Sequence, residues 1–190
     1  MLRLCHELPR YSLDMDFWFF RETDFEGFFE RLSETLKKKH RITDAQNKYH
    51  SILVEVQKAR GKPKLKIEIR KKIALLGTSE EKIAFSPHFS TQVLVRGFTL
   101  QQMAQNKIEA LIGRGEIRDA FDLEFLTRRG VTKSLTEEEK ERIFRRLRGF
   151  KKTDFDVKLG SILRPELRHY YRENKFRFLE ERLSFEQWEK

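Results

Sequence analysis

With 190 residues, 38% of them hydrophobic and 17 of them phenylalanine, the chain holds enough apolar material for one sizeable core and a smaller helical lobe. Forty Lys and Arg against thirty Asp and Glu give a formal net charge of +10, which favours a polyanionic partner. No run approaches the roughly 20 apolar residues of a membrane span, no signal-peptide core opens the sequence, and the single cysteine, Cys5, excludes an internal disulfide. The expectation is a cytoplasmic protein with no membrane partner.

In chain order, Tyr11 to Trp18 reads as a strand: Tyr11, Leu13, Met15 and Phe17 alternate towards a core, and Ser12, Asp14 and Asp16 share the other face. Asp24 to Lys39 reads as an amphipathic helix with Phe25, Phe28, Phe29, Leu32 and Leu36 at helical spacing. Ser51 to Val56 is a strand, and Lys58 to Lys64, with Gly61 and Pro63, connects it as a hairpin to the alternating run Leu65 to Arg70. A short strand follows at Gln92 to Val95. Thr99 then caps a helix that stops at Gly113 or Gly115. Thr136 to Glu139 is a capping box opening a charged helix, and Pro165 to Leu183 reads as one more helix. The change from strands to helices places a boundary near residue 99, dividing a core over 1–98 from a helical portion over 99–190.

Three features carry chemistry. Asp14 and Asp16 stand on one face two residues apart, where like charges repel unless a cation, a donor or water compensates; an edge strand with a solvated acidic face shows the same pattern. Glu68 alternates onto the polar face of its strand with Lys66 and Arg70. If that strand lies beside the first, three carboxylates converge, a set suited to Mg²⁺ and substrate phosphate; otherwise Glu68 is an ion-pair partner of Lys66 or another lysine. Lys107 falls on the apolar stripe formed by residues 100, 103, 104, 108, 111 and 112, either snorkelling from its edge or pointing into a cleft that offers a phosphate or carboxylate. Arg118, Asp119 and Asp122 lie within one turn of each other and fit a surface ion-pair ladder equally well.

The run Arg10-Tyr11-Ser12-Leu13-Asp14-Met15-Asp16 resembles the Arg, aromatic, Ser, x, Asp, hydrophobic, Asp signature of the AbiEii/AbiGii family of nucleotidyltransferase toxins. Ala104, Lys107, Ala110, Leu111, Arg114, Arg118, Asp119, Asp122 and Leu123 are similar to that family's second block, in the expected order. The resemblance spans about residues 1–128. It implies an α/β (α+β) fold, a nucleotidyltransferase-like mixed sheet flanked by helices with a helical C-terminal portion. It also implies a magnesium-dependent toxin that transfers a nucleotide from a nucleoside triphosphate to an RNA, possible tRNA-like acceptors included, with a cognate antitoxin as partner.

On this resemblance Asp14 and Asp16 hold Mg²⁺, Glu68 orients or deprotonates the attacking hydroxyl, and Lys107 joins them in catalysis. Arg10, Ser12, Arg114, Arg118, Asp119 and Asp122 belong to the substrate-binding wall. Family members carry a Gly-Gly-Ser/Thr turn that cradles the triphosphate, and Met1 stands where the helix after that turn begins, so residues 1–190 alone are expected to be weakly active or inactive. Two other classes share these residues: a non-catalytic relative that binds RNA or an antitoxin, and a metal-dependent phosphoesterase acting on water. Between Lys58 and Lys72 eight Lys or Arg flank the one acid Glu68, and Arg142, Arg145, Arg146, Arg148, Lys151 and Lys152 form a second basic cluster. Either is a solvated face or a track for a phosphate backbone.

Overall fold

The structure, a computed structural model, describes residues 1–12, 14–73, 78–86 and 89–185. The chain forms two units, residues 12–77 and residues 1–11 with 78–190. These limits differ from a single division near residue 99. The β-hairpin that follows residue 77 belongs with the helices, and the backbone N–H of Thr99 donates to the carbonyl of Thr78 at 2.9 Å, tying the hairpin's base to the start of the next helix.

Residues 12–77 build a four-stranded mixed sheet of order β1-β4-β3-β2, with β1 at Asp14–Phe19, β2 at Arg41–Asn47, β3 at Ser51–Gln57 and β4 at Lys64–Ile73. β2, β3 and β4 run antiparallel in sequence, whereas β1 lies parallel to β4. A parallel partner needs a long crossover, and α2 at Phe25–Lys37 begins it. Asp24 caps α2, its carboxylate accepting the Gly27 N–H at 3.1 Å. Phe25, Phe28, Phe29, Leu32 and Leu36 pack on a core of Phe19, Ile52, Val54, Val56 and Ile69. Alternation places Ile67 and Ile69 on that buried side and sends Lys66, Glu68 and Arg70 to the opposite face.

The expected inward row of β1 is only partly realised. Tyr11 is exposed, and Phe17 is 40% exposed, whereas Phe19 is buried with its ring edge-on to Phe25 and Phe28 at 5.0 Å. A register shift between Trp18 and Phe19 reassigns the end of the strand. Leu13, assigned to the same inward row, lies outside the described residues.

The second unit contains α1 at Leu2–His6, the hairpin of β5 at Ser79–Ser86 and β6 at Phe89–Phe98, then α3 at Leu100–Gly113, α4 at Ile117–Arg128 and α5 at Glu137–Gly149. A π-helical turn at Asp154–Leu159 and a 3₁₀ turn at Gly160–Ile162 lead to α6 at Pro165–Asn174 and α7 at Arg177–Phe185. Thr99 caps α3 by accepting the Gln102 N–H, and Thr136 and Glu139 complete the capping box of α5. Gly115, at φ 68°, turns the chain between α3 and α4 in a conformation open to glycine. Met103, Ala104, Ile108 and Leu111 of α3 meet Ala120, Phe121, Leu123 and Leu126 of α4 and Ile143 and Leu147 of α5 in the core. The single helix expected over Pro165 to Leu183 is two, because Lys175 adopts φ 50°, ψ −130° and breaks the helical path.

Candidate active site

The polar face of β1 and β4 gathers one group of candidate residues. In the parallel register Asp14 lies opposite Lys66 and Asp16 opposite Glu68, so all four side chains leave the same side of the sheet. Ser12 precedes them and donates from its hydroxyl to the Asp14 carbonyl at 2.9 Å. Lys66 Nζ lies 2.7 Å from Glu68 Oε2. This bond, ahead of the fields of Lys66, Arg70 and Lys48, holds the Glu68 carboxyl below the usual range and keeps it ionised. Glu68 is therefore both the neighbour of Asp16 and the ion-pair partner of Lys66. Among the described residues no three His, Cys, Asp or Glu side chains are drawn together closely enough to enclose a metal ion. The donor set that does fit a hard cation is the Asp14 and Asp16 pair, since Mg²⁺ keeps several waters and takes one or two carboxylates together with substrate phosphates.

In the helical unit Lys107, on α3, is held by two carboxylates of α4: Nζ lies 3.2 Å from Asp119 Oδ1 and 2.7 Å from Asp122 Oδ2. Both aspartates are fully buried, and the lysine side chain is 23% exposed. Asp122 also receives both arms of Arg10, Nε at 2.6 Å and Nη2 at 2.7 Å. Asp119 receives both arms of Arg114, at 2.7 and 2.8 Å. Arg10 is itself placed by backbone pairing, in a bridge with Leu163, and Tyr11 N–H donates to the Ile162 carbonyl at 2.7 Å. Burial by itself would raise the Asp119 carboxyl, but the Arg114 and Lys107 contacts together hold it below its ordinary value. Three cations thus share two buried carboxylates. Bidentate arginine contacts leave neither carboxylate unsatisfied, and Lys107 is fixed in place with part of its surface open.

Arg118, at the start of α4, has its Nε 2.6 Å from Glu116 Oε2. The whole chain, residues 1–190, matches the sequence family described as Nucleotidyl transferase AbiEii toxin, Type IV TA system. The chain belongs to the AbiEii family. As an AbiEii protein it is a nucleotidyltransferase and the toxin of a type IV toxin–antitoxin system, which implies an antitoxin partner. No curated protein matches the chain significantly. Among solved structures, JHP933 from Helicobacter pylori superposes with a TM-score of 0.51 at 19% identity, covering 98% of this chain and 83% of that one. A second H. pylori structure, named provisionally as a nucleotidyltransferase, gives a TM-score of 0.50 at 18% identity over 96% and 84% of the two chains. These likenesses show a shared fold, the expected mixed α/β architecture. Among the described residues of this AbiEii chain, no helix is long and apolar enough to cross a membrane.

Two charged residues escaped the pattern reading of the sequence. Lys66 figured there only as a partner for Glu68, although its alternation with that residue placed it on the carboxylate face. Glu124 of α4 is fully buried, accepting from Tyr171 Oη at 3.0 Å and from Arg128 at 3.0 Å. Its signal was an acid inside the apolar run Leu123, Phe125, Leu126.

Proposed function

We propose that this AbiEii protein transfers a nucleotide from a nucleoside triphosphate to an RNA acceptor, with Mg²⁺ taken by Asp14 and Asp16. The observation that carries the reading is the acidic face of β1 and β4, where Asp14 and Asp16 share one side of the sheet and Asp16 is in register with Glu68. When bound, the ion neutralises phosphate charge and stabilises the attacking and leaving oxygens. Glu68, kept ionised, accepts the proton of the attacking hydroxyl or orients it. Ser12, hydrogen-bonded to the Asp14 carbonyl, holds the entry to β1 and contacts the nucleotide. Lys107, fixed by Asp119 and Asp122, offers a positioned cation to a phosphate, and Arg118 at the start of α4 receives acceptor phosphates. Arg10 and Arg114 act through the two aspartates, which makes them positioning residues for Lys107. The antitoxin is the implied protein partner, and the site of action is the cytoplasm, where nucleoside triphosphates and RNA meet.

The test is transfer of labelled nucleotide from each of the four triphosphates to an RNA pool with Mg²⁺. Asp14→Asn and Asp16→Asn are expected to lower transfer about 100-fold or more, the loss of several kcal/mol of charge stabilisation, while thermal melting stays near the wild-type value. Full transfer in either variant removes the metal pair from the mechanism. Release of nucleoside monophosphate with none joined to RNA identifies a phosphoesterase.

A further inference from the structure

The strand face that carries Asp14 and Asp16 also carries its own cation. Lys66 stands opposite Asp14 in the β1–β4 register, its Nζ is 2.7 Å from Glu68 Oε2, and the Glu68 bond, with smaller contributions from Asp14 and Asp16, raises the lysine above its ordinary value. Arg70 and Lys48 also act on Glu68, from further away than the Lys66 hydrogen bond. Lys64 pairs with Glu55 at 2.7 Å, and the Arg70 guanidinium lies over the Trp18 ring, 5.5 Å from its centroid. Lys66 is the ammonium that touches Glu68 and stands in register with Asp14, on the face where the proposed chemistry takes place.

We propose that Lys66 is a positioning residue that makes metal binding on this face depend on the nucleotide. The proposal rests on the assignment of the metal to Asp14 and Asp16. A divalent ion arriving alone meets carboxylates already balanced in part by a nearby ammonium, and the two cations repel. A nucleoside triphosphate brings several negative charges to the same place. It offers Lys66 a new anionic partner and the ion additional oxygen ligands, so each ligand removes the obstacle to the other. Coupling of this kind is reciprocal: nucleotide tightens the metal as much as metal tightens the nucleotide. The half-exposed position of Lys66, with 43% of its side chain accessible, leaves it room to change partners.

The experiment counts free Mn²⁺ by paramagnetic resonance during titration of the whole chain, with and without a non-hydrolysable nucleoside triphosphate. In the wild type, the analogue is expected to tighten Mn²⁺ about tenfold, within the usual range of coupling between sites. Lys66→Met, and Lys66→Gln as a second variant retaining polarity, are expected to bind Mn²⁺ alone about tenfold more tightly and to lose most of the nucleotide effect. Lys66→Arg keeps the wild-type pattern, because the charge remains. Asp14→Asn abolishes Mn²⁺ binding in each background. Equal Mn²⁺ affinity in the wild type and both neutral variants, with binding still dependent on Asp14, overturns the role of Lys66 and leaves the metal assignment standing. Mn²⁺ binding that survives Asp14→Asn overturns the metal assignment and the inference with it.

Discussion

Glu124 and the Asp119–Asp122 pair show how differently one helix treats its buried acids. The two aspartates share three cations, Lys107, Arg10 and Arg114, and those on Asp119 hold its carboxyl below the ordinary value. Glu124 has one cation, Arg128, and a phenol, Tyr171, and there burial outweighs both contacts and raises its carboxyl above the ordinary value of 4.5. The consequence for stability has a definite sign. Between 4.5 and the raised value the unfolded chain releases this proton while the folded chain keeps it, so stability is full below that window and falls as pH rises through it. Glu124→Gln holds a neutral group at the same position, and Arg128, 40% exposed, can turn to water. Denaturant unfolding from about pH 4 to about pH 8 is expected to show the decline in the wild type and a flatter profile in Glu124→Gln. Identical profiles would mean that Glu124 does not titrate differently on folding.

At the level of elements, periodicity was informative wherever a segment buries one face and faces water with the other. It located α2 by five apolar side chains, the β3–β4 hairpin by alternation around Gly61 and Pro63, and α3 and α5 by threonine caps. β2, Arg41–Asn47, escaped because its sequence has little apolar alternation; it is a strand through its pairing with β3. The break between α6 and α7 escaped for a different reason. Lys175 carries none of the usual stop signals, and its φ of 50° with ψ of −130° is a conformation that a side chain resists. Glycine adopts it without penalty. Lys175→Gly is therefore expected to stabilise the chain by about 1 kcal/mol, the released strain exceeding the added freedom of the unfolded state. A lowered melting temperature would show that the lysine side chain contributes more than its backbone costs.

Over the whole chain, the candidate site was legible where its residues lie on one strand or one helix, and illegible where distant segments supply the partners. Asp14 with Asp16, and Asp119 with Asp122, were visible as spacings. That Asp122 is occupied by Arg10, 112 positions away, depends on the bridge between Arg10 and Leu163, which no local pattern encodes. The same distinction sorts the two basic clusters behind the net charge of +10. In the α5 cluster Arg146 spends its guanidinium on the carbonyls of Ile112 and Gly113 at the end of α3, at 2.8 and 2.9 Å, and Arg148 lies over Phe144. Part of that charge is structural. Lys58, Arg60 and Lys62, in the β3–β4 connection, are exposed and lie in the hairpin next to the strand of Glu68. If this segment tracks an RNA backbone, replacing all three by alanine releases three phosphate contacts, and the slope of log affinity against log salt for single-stranded RNA should fall in magnitude by about 2. Arg146→Ala should instead lower thermal stability and change the salt slope by less than 1 contact's worth, about 0.7. An unchanged slope in the triple variant would assign the hairpin cluster to solvation alone, leaving RNA to be held elsewhere on the basic surface.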